Sequence, residues 1–431
     1  MSIILTGMKR NYFDLLNRYL RFFPCVVIIG PRQCGKTTFV KQLGEPWSFY
    51  DLEKSADFKL ISQDPDLFFR LNPTHIAIDE AQVFPDLFNA LRVAIDADRM
   101  TKGRFIITGS SSPSIVRGMS ESLAGRVGII ELAPFSCAEA YDCQESSFFD
   151  WFKSPTSLAE LHGSLKPSIS IKDVHEFWLG GGYPEPWLQH TEEFSRDWYD
   201  AYIQTYVMRD IGALFPRIPR ERFRLFIDLL LASSGTIMNY SDISRVLGVS
   251  APVVRDYFAI AHDTFIWRTI PSFSKKSTHR LIRHPKGFIR DTGLLHRLQH
   301  INTEYKLLTH PKMGASWEGM IIEEIIRGLT SKGIAHTYSF YRSIGGAEVD
   351  LVLEGDFGLV AIEIKHGTEF DMRQLMGISS FIADQKCRCG FVITTNEKPQ
   401  WFSDSLLGIP VNWLFSRIPG VTRGGNQSRD P

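Results

Sequence analysis

The most restrictive feature of this sequence is an eight-residue segment, Gly30-Pro-Arg-Gln-Cys-Gly-Lys-Thr37, which fits the pattern G-x-x-x-x-G-K-[ST]. Its two glycines allow the backbone to curl tightly, so that successive N–H groups point inward and bind phosphate oxygens. Residues 26–29 predict a buried strand before the segment, and residues 37–43 suit a helix after it. This context predicts a P-loop that binds ATP. The predicted nucleotide contacts are Gly30, Pro31, Arg32, Gln33, Cys34, Gly35, Lys36, Thr37 and Thr38.

The residues expected to carry out hydrolysis lie in this loop and after the next apolar run. Lys36 is expected to reach the β- and γ-phosphates, and the Thr37 hydroxyl to ligate Mg²⁺. The run at residues 76–78 ends in Asp79-Glu80. A carboxylate at the end of a buried strand can hold the magnesium shell, and one beside it can polarise the attacking water. We therefore assign Asp79 to the metal and Glu80 to general-base catalysis, with ATP and Mg²⁺ bound together.

A third apolar run, at residues 105–107, is followed by polar residues that would lie next to the γ-phosphate. Ser110 is the candidate for sensing that phosphate, with Thr108 behind it, although hydroxyls at this position also simply cap strands. Farther along, Arg117 and Arg126 are candidates for stabilising transition-state charge, in cis or across a subunit interface. Arg126 is preferred because Gly125 allows close approach, and a surface salt bridge is the alternative role.

The middle of the chain contains a helix-turn-helix pattern. The segment from Tyr240 to Gly248 predicts a short helix with Ser241 as its N-cap and Gly248 as its end. A second helix begins near Pro252, which is favoured in a first helical turn, and runs to about Ala261.

A basic stretch follows this pattern. Residues 268–290 contain seven Lys or Arg residues and no Asp or Glu. Lys275 and Lys276 fall at a predicted hairpin tip, where a wing would touch a phosphate backbone. The stretch therefore predicts DNA contact, and the alternative is a solvated basic loop on a pair of packing helices.

The C-terminal part contains a second constellation of charged residues. Two apolar strands flank a tight loop at residues 354–358, and folding about its midpoint places Asp350 opposite Glu363. Carboxylates on directly opposite residues repel each other unless a cation lies between them, and Mg²⁺ favours such oxygen ligands. Lys365 lies on the same face as Glu363, and Glu318 lies on a predicted helix. These four residues resemble the Asp…Glu-x-Lys core of PD-D/E-x-K nucleases, with Asp350 and Glu363 as metal ligands. A charged strand face, or the same fold without activity, is the alternative.

Taken together, the motifs resemble a family of AAA-superfamily ATPases that carry a C-terminal domain of unknown function. The segments that carry this resemblance are residues 30–38, 78–82, 108–111, 123–126, 132–136, 181–185, 209–211, 291–294, 348–350 and 363–365. The resemblance covers nearly the whole chain. It implies an ATPase, a winged-helix-like segment and a restriction-endonuclease-like C-terminal fold, but no substrate.

Composition limits the class of protein. The 431 residues have zero formal net charge, so any nucleic-acid surface must be local. No apolar run approaches the roughly 20 residues that span a bilayer, and the start lacks the apolar stretch of a signal peptide. The six cysteines form neither a disulfide framework nor paired metal-ligand spacings. We therefore expect a cytoplasmic protein without a membrane partner.

These observations predict an α/β protein with five regions. They are a P-loop NTPase parallel sheet (1–135), a helical lid or linker region (136–230), a winged-helix-like domain (231–300), an α/β nuclease-like domain (301–415) and a disordered tail (416–431). Within the second region, residues 154–170 are rich in Ser, Pro and Gly and are predicted to be a linker. The predicted function is ATP hydrolysis coupled to DNA binding or processing, with a homo-oligomer as a further expectation. The alternatives are an ATP-dependent switch whose C-terminal domain only binds, and a signalling ATPase without a nucleic-acid partner.

Overall fold

The N-terminal part of the chain forms a parallel sheet, seen in a computed structural model that describes residues 8–110, 123–214, 218–273, 284–368 and 371–417. Its strands are β1 (Cys25–Gly30), β2 (Ser48–Asp51), β3 (Ile76–Asp79), β4 (Phe105–Ser110) and β5 (Val127–Glu131). All pair in parallel, in the order β2-β3-β4-β1-β5. The inner strands β1, β3 and β4 are short, apolar and mostly buried, as in a sheet covered on both faces, whereas the edge strands β2 and β5 are partly exposed. Because β1 lies between β4 and β5, the P-loop emerges near the middle of the sheet.

Helices cover both faces of this sheet. They are α1 (Phe13–Phe22), α2 (Lys36–Lys41), α3 (Ser55–Ser62), α4 (Pro65–Leu71) and α5 (Leu87–Ala97). One buried cluster packs α1 and α2 against β1, and another packs α3, α4 and α5 against the opposite face. This arrangement fixes the α/β character of the first region.

Helices dominate the next part of the chain. They are α6 (Cys137–Ala140), α7 (Ser147–Trp151), α8 (Leu158–Ser164), α9 (Ile171–Gly180), α10 (Pro184–Gln189) and α11 (Glu192–Tyr202). The helix α11 continues into a wider π-helical segment at Ile203–Ile211, and β6 (Cys143–Glu145) is a short strand. The predicted linker at residues 154–170 is corrected here, because it contains α8 and buries Leu161, Leu165 and Ile169 in a hydrophobic core.

The predicted helix-turn-helix is present as α13 (Tyr240–Leu247) and α14 (Ala251–Asp263), after α12 (Arg220–Ser233). The predicted N-cap Ser241 is wrong: Asn239 is the cap, and its side chain accepts a hydrogen bond from the Ser241 N–H. Gly248 ends the helix in the left-handed conformation. Strands β7 (Thr236–Ile237), β8 (Trp267–Ile270) and β9 (Lys286–Ile289) form an antiparallel sheet beside the two helices, in the order β7-β9-β8.

The C-terminal part is built on a mixed six-stranded sheet. Its strands are β10 (His336–Arg342), β11 (Glu348–Gly355), β12 (Gly358–Ile364), β13 (Cys389–Thr394), β14 (Gln400–Ser403) and β15 (Leu406–Pro410), in the order β10-β11-β12-β13-β15-β14. Helices α15 (Thr292–Leu298) and α16 (Glu304–Leu308) precede it, and α17 (Met313–Ser331) and α18 (Met376–Gln385) pack on it. Strand β16 (Phe415–Arg417) pairs with β6, so Ser416 and Arg417 are not part of a disordered tail, while residues 418–431 lie outside the described residues.

Two of the hydrophobic cores contain residues from both sides of the predicted domain boundaries. The helices between residues 137 and 180 share one core with α17 and the C-terminal sheet. The segment from α11 to residue 211 shares another core with the helix-turn-helix. The predicted lid or linker region, 136–230, therefore has no core of its own among the described residues.

Among all the residues that the structure describes, no helix is long and apolar enough to cross a membrane.

Candidate nucleotide-binding site and C-terminal carboxylate cluster

The P-loop follows β1 directly and turns back into α2. Gln33 and Gly35 have φ values of 64° and 93°, so the backbone enters the left-handed region twice within the loop. A Cβ atom on Gly30 would meet the backbone oxygen of Leu132 at 2.1 Å, so only glycine fits at this position. The loop backbone is therefore held in the curled shape that a phosphate-binding loop needs.

Lys36 is buried at the start of α2, and its ammonium group donates to two carbonyls of the loop itself. Its Nζ lies 3.1 Å from the Gly30 oxygen and 2.9 Å from the Pro31 oxygen. A ligand phosphate is a stronger acceptor for an ammonium group than a neutral carbonyl. The lysine is thus placed at the centre of the loop, on acceptors that a phosphate can replace.

The predicted magnesium ligands lie side by side. The Thr37 hydroxyl donates to Asp79 Oδ2 at 2.5 Å, and the Thr108 hydroxyl donates to Asp79 Oδ1. These three residues belong to the loop, β3 and β4, whose carboxyl ends meet at one edge of the sheet. One hydroxyl and one carboxylate at this point form the hard-oxygen donor set that Mg²⁺ takes beside substrate phosphates. The residues present therefore fit the ion.

Glu80 and Ser110 are also brought together at this edge. The Ser110 hydroxyl donates to Glu80 Oε2 at 3.3 Å, and Gln82 Nε2 donates to Ser110 Oγ at 2.9 Å and to Glu80 Oε2. Glu80 has a φ of 55°, an unusual value for a residue with a side chain, and such strain is concentrated at functional sites. Gln82 Oε1 is buried and has no hydrogen-bond partner in the part of the chain that the structure describes. Sequence reasoning missed Gln82, although it lies two residues after Glu80.

Arg126 forms an ion pair at the surface. Its guanidinium contacts Asp96 through two atom pairs, with Nε–Oδ1 and Nη2–Oδ2 distances of 2.8 and 2.9 Å. This contact matches the salt-bridge alternative, and the transition-state role of Arg126 stays a prediction. The other candidate, Arg117, lies outside the described residues.

Two further residues tie the P-loop to other parts of the chain, and sequence reasoning missed their roles. The guanidinium of buried Arg10 donates to Cys34 O at 3.0 Å and Ala133 O at 2.6 Å. Arg32 Nη1 lies 2.6 Å from Asp210 Oδ2 at the end of the π-helical segment. The second contact was within reach of the sequence, because residues 209–211 were already part of the family resemblance.

The C-terminal hairpin has the expected register. Leu351 pairs with Ile362 and Gly355 with Gly358, so Asp350 lies opposite Glu363. Lys365 Nζ lies 2.7 Å from Glu363 Oε1, and Asp350 Oδ2 accepts a hydrogen bond from the Ile364 N–H at 2.8 Å. Burial, with Asp350 nearby, raises the pKa of Glu363 well above its usual range.

A lysine from β9 lies in the same cluster, where sequence reasoning placed a metal ion. Lys286 Nζ lies 2.5 Å from Glu318 Oε1, 3.3 Å from Glu348 Oε1 and 4.0 Å from Asp350 Oδ1. Burial and the charge of Asp350 raise the pKa of Glu318 to about 8. In the ranges that the structure describes, no three His, Cys, Asp or Glu side chains are grouped so as to hold a metal ion. The metal roles of Asp350 and Glu363 thus stay predictions.

The basic stretch is corrected in part. Arg268, Lys286 and Arg290 are buried, with 4–6% of their surface exposed, and each is paired with carboxylates. These three cations are therefore not on a DNA-binding surface. The other four basic residues of the stretch, Lys275, Lys276, Arg280 and Arg283, lie outside the described residues.

Arg268 and Arg290 form a buried charge network with α17. Arg268 Nη2 lies 3.1 Å and Arg290 Nε 3.3 Å from Glu323 Oε2, and Arg327 Nε lies 3.5 Å from the same oxygen. Arg290 Nη2 also reaches Glu131 at the end of β5, at 2.5 Å. Burial alone would raise the pKa of Glu323, but the three arginines lower it to about 2. The network links the parallel sheet, the middle region and the C-terminal helix.

Comparison with known proteins places these features in a family. A family model described as an AAA domain matches residues 23–141, and two described as domains of unknown function, DUF8612 and DUF4143, match residues 171–305 and 313–414. The chain is 31% identical over 410 residues to the uncharacterised proteins Rv2008c of Mycobacterium tuberculosis and Mb2031c of Mycobacterium bovis, covering 95% of this chain and 85% of each relative. A solved structure, the Walker-type ATPase PABY2304 of Pyrococcus abyssi, aligns at 14% identity with a TM-score of 0.40, covering 68% of this chain and 99% of that one.

Proposed function

The chain belongs to the family of the mycobacterial proteins Rv2008c and Mb2031c, and from this premise we propose that its P-loop AAA domain binds and hydrolyses ATP. The observation that carries the proposal is the meeting of Lys36, Thr37, Asp79 and Glu80 at one edge of the parallel sheet. These are the groups that phosphoryl transfer to water requires: a phosphate-binding cation, a magnesium site and a base.

The proposed roles follow from the contacts of each group. Lys36 exchanges its two loop carbonyls for the β- and γ-phosphates of ATP. Thr37 and Asp79 would hold Mg²⁺, which would supply positive charge to neutralise the transferred phosphoryl group. Glu80 orients the attacking water and takes its proton, while Ser110 and Gln82 hold the carboxylate in position.

Substitution of Glu80 tests this proposal. Glu80→Gln keeps the size of the side chain but removes the base, so ATP binding should persist while turnover falls by roughly 10²–10⁴-fold. Turnover is measured as phosphate release, and binding as the affinity for a fluorescent ATP analogue. The matched control is Glu397→Gln, an exposed glutamate on a distant loop. Hydrolysis at the wild-type rate in Glu80→Gln would show that Glu80 is not the base.

A second proposal concerns the C-terminal domain, which we assign to nucleic-acid binding under the control of the ATPase. Two observations support it: the nuclease-like register of Asp350, Glu363 and Lys365, and the helix-turn-helix packed beside a three-stranded sheet, as in a winged helix. The position of Lys286 among the carboxylates favours a binding module over an active nuclease. The ATPase could act as a homo-oligomer in this scheme.

A single set of assays separates binding from cleavage. Purified protein is incubated with DNA and Mg²⁺ or Mn²⁺, with and without ATP, and both strand cleavage and retention on DNA are followed. The binding module predicts retention without cleavage. Strand cleavage that Asp350→Ala abolishes would instead establish nuclease activity. If the protein is not retained on DNA and its ATPase rate does not change when DNA is added, nucleic acid is not its partner.

A further inference from the structure

We propose that Lys286 is the built-in counter-ion of the C-terminal carboxylate cluster and that its ammonium group excludes a divalent cation from that cluster. The inference deepens the second proposal above, because it gives a physical reason for a nuclease-like domain that only binds. It is tested by metal binding, so its outcome does not depend on whether the protein binds or cuts DNA.

The charges of the cluster require a cation. Four carboxylates, on Glu318, Glu348, Asp350 and Glu363, converge at the edge of the hairpin formed by β11 and β12. The side chains of Glu318, Asp350 and Glu363 are 13%, 10% and 6% exposed, so solvent screens their repulsion poorly. Lys365 contacts Glu363 and Arg342 contacts Glu348. Lys286 contacts Glu318 and lies 4.0 Å from Asp350.

Lys286 is held in place by its own strand. Its backbone pairs with Ile237 on one side and Ile270 on the other, in the centre of the β7-β9-β8 sheet. Its ammonium lies over the ring of Phe288, 5.6 Å from the centroid, and its side chain is 5% exposed. A buried ammonium needs charged partners, and the carboxylates supply them. The lysine is therefore a fixed part of the cluster and not a surface side chain that happens to lie nearby.

One atom indicates that the cluster retains capacity for a metal ligand. The Oε2 atom of buried Glu363 has no hydrogen-bond partner among the described residues, while Oε1 faces Lys365. An unpartnered buried carboxylate oxygen is costly unless a cation or a donor approaches it. Asp350 lies directly opposite, so an ion between the two carboxylates would have ligands from both strands. The ammonium of Lys286, at 4.0 Å from Asp350, opposes such an ion by like-charge repulsion.

The test is a Mn²⁺ titration of the full-length protein without nucleotide, in an Asp79→Asn background that disables the P-loop site. The concentration of free Mn²⁺ is measured by electron paramagnetic resonance. The Lys286→Met variant removes the charge and keeps an apolar stem, so it should gain one Mn²⁺ site per chain. Its affinity for Mn²⁺ should exceed that of the parent by at least about tenfold, equivalent to about 1.4 kcal/mol. Adding Asp350→Asn to this variant should remove the gained site.

Two further substitutions of Lys286 serve as controls. Lys286→Arg keeps the positive charge and should gain no site. Lys286→Gln keeps a hydrogen-bond donor for the carboxylates and should show the same gain if Lys286→Met does not fold, as judged by circular dichroism. The proposal is overturned if the parent already binds Mn²⁺ at a site that Asp350→Asn abolishes. It is equally overturned if folded Lys286→Met or Lys286→Gln protein binds no additional ion.

Discussion

The Glu323→Gln substitution probes the buried charge network that joins the three parts of the chain. Glu323 is 2% exposed on α17, accepts hydrogen bonds from Arg268 and Arg290, and forms an ion pair with Arg327. Glutamine keeps the shape of the side chain but removes its charge, which leaves three buried guanidinium groups short of one carboxylate. Loss of one partner from a buried ion pair typically costs about 3–5 kcal/mol.

The pKa of Glu323 gives an independent estimate of this cost. Its folded value of about 2 lies below the ordinary value of 4.5, so ionisation of Glu323 favours the folded state. Each pH unit between the two values is worth about 1.36 kcal/mol, which gives about 3 kcal/mol at neutral pH. For an acid with a lowered pKa, this stability is complete above pH 4.5 and is lost as the pH falls towards 2. At pH 3, about 1 kcal/mol of it remains.

Urea unfolding at pH 7 and pH 3, followed by tryptophan fluorescence, measures this difference. Glu323→Gln should lower the free energy of unfolding by about 3 kcal/mol at pH 7 and by less than half of that at pH 3. The exposed Glu397→Gln control should stay within about 0.5 kcal/mol of wild type at both pH values. A loss below about 1 kcal/mol at pH 7, or a loss that does not change with pH, would refute the role of Glu323 as the central charge of the network.

Three further predictions concern the P-loop, the basic stretch and a buried histidine. Lys36→Ala should abolish ATP hydrolysis and weaken the binding of a fluorescent ATP analogue, because the main charge on the γ-phosphate is lost; undiminished hydrolysis would contradict the phosphate site. Neutralising Lys275, Lys276, Arg280 and Arg283 together should weaken DNA binding and lower the slope of log affinity against log salt by roughly 0.9 per lost phosphate contact. Fluorescence anisotropy at several salt concentrations measures that slope, and an unchanged slope would exclude these residues from the interface. Burial lowers the pKa of His296 to about 4, so its contribution to folding is present above its ordinary value of 6.5 and is lost as the pH falls towards 4. Wild type should therefore lose about 2 kcal/mol more than His296→Gln between pH 7 and pH 5 in urea unfolding, and equal losses in the two proteins would count against this assignment.

The phosphate-binding site could be predicted from short patterns in the sequence. The strands β3 and β4 appear as short apolar runs that end in polar residues, and β1 as an apolar run that ends at the first glycine of the P-loop. Parallel pairing brings their carboxyl ends together. The register of the C-terminal hairpin could be predicted for the same reason, since a tight loop fixes which residues lie opposite each other. Each of these inferences needed only residues close together in sequence, or the regular geometry of a sheet.

The parts that could not be predicted depend on contacts between residues far apart in sequence. Lys286 appeared in a run of basic residues typical of a DNA contact, yet its partners Glu318 and Glu348 lie 32 and 62 positions away. The polar composition of residues 154–170 indicated a linker, but Leu161 and Leu165 bury their side chains in a core formed with distant strands. The composition of a segment gives its average polarity, whereas its burial depends on whether a few of its apolar side chains pack against residues far away in sequence.

Although the chain has zero formal net charge, buried cations of the middle region are paired with particular carboxylates. Arg268 on β8 forms an ion pair with Glu323 of α17, and Lys286 on β9 forms one with Glu318 of the same helix. Arg290, one residue beyond β9, extends the contact to Glu131 at the end of β5, which pairs with the P-loop strand β1. Sliding the parallel sheet past α17 would separate Glu131, whose side chain is 36% exposed, from Arg290, whose side chain is 5% exposed. The buried guanidinium of Arg290 would lose one of its carboxylate partners, which costs more than breaking a fully exposed pair. Independent movement of the two parts is therefore opposed, and a nucleotide-dependent shift of β1 and β5 would carry α17 and its carboxylate cluster with it.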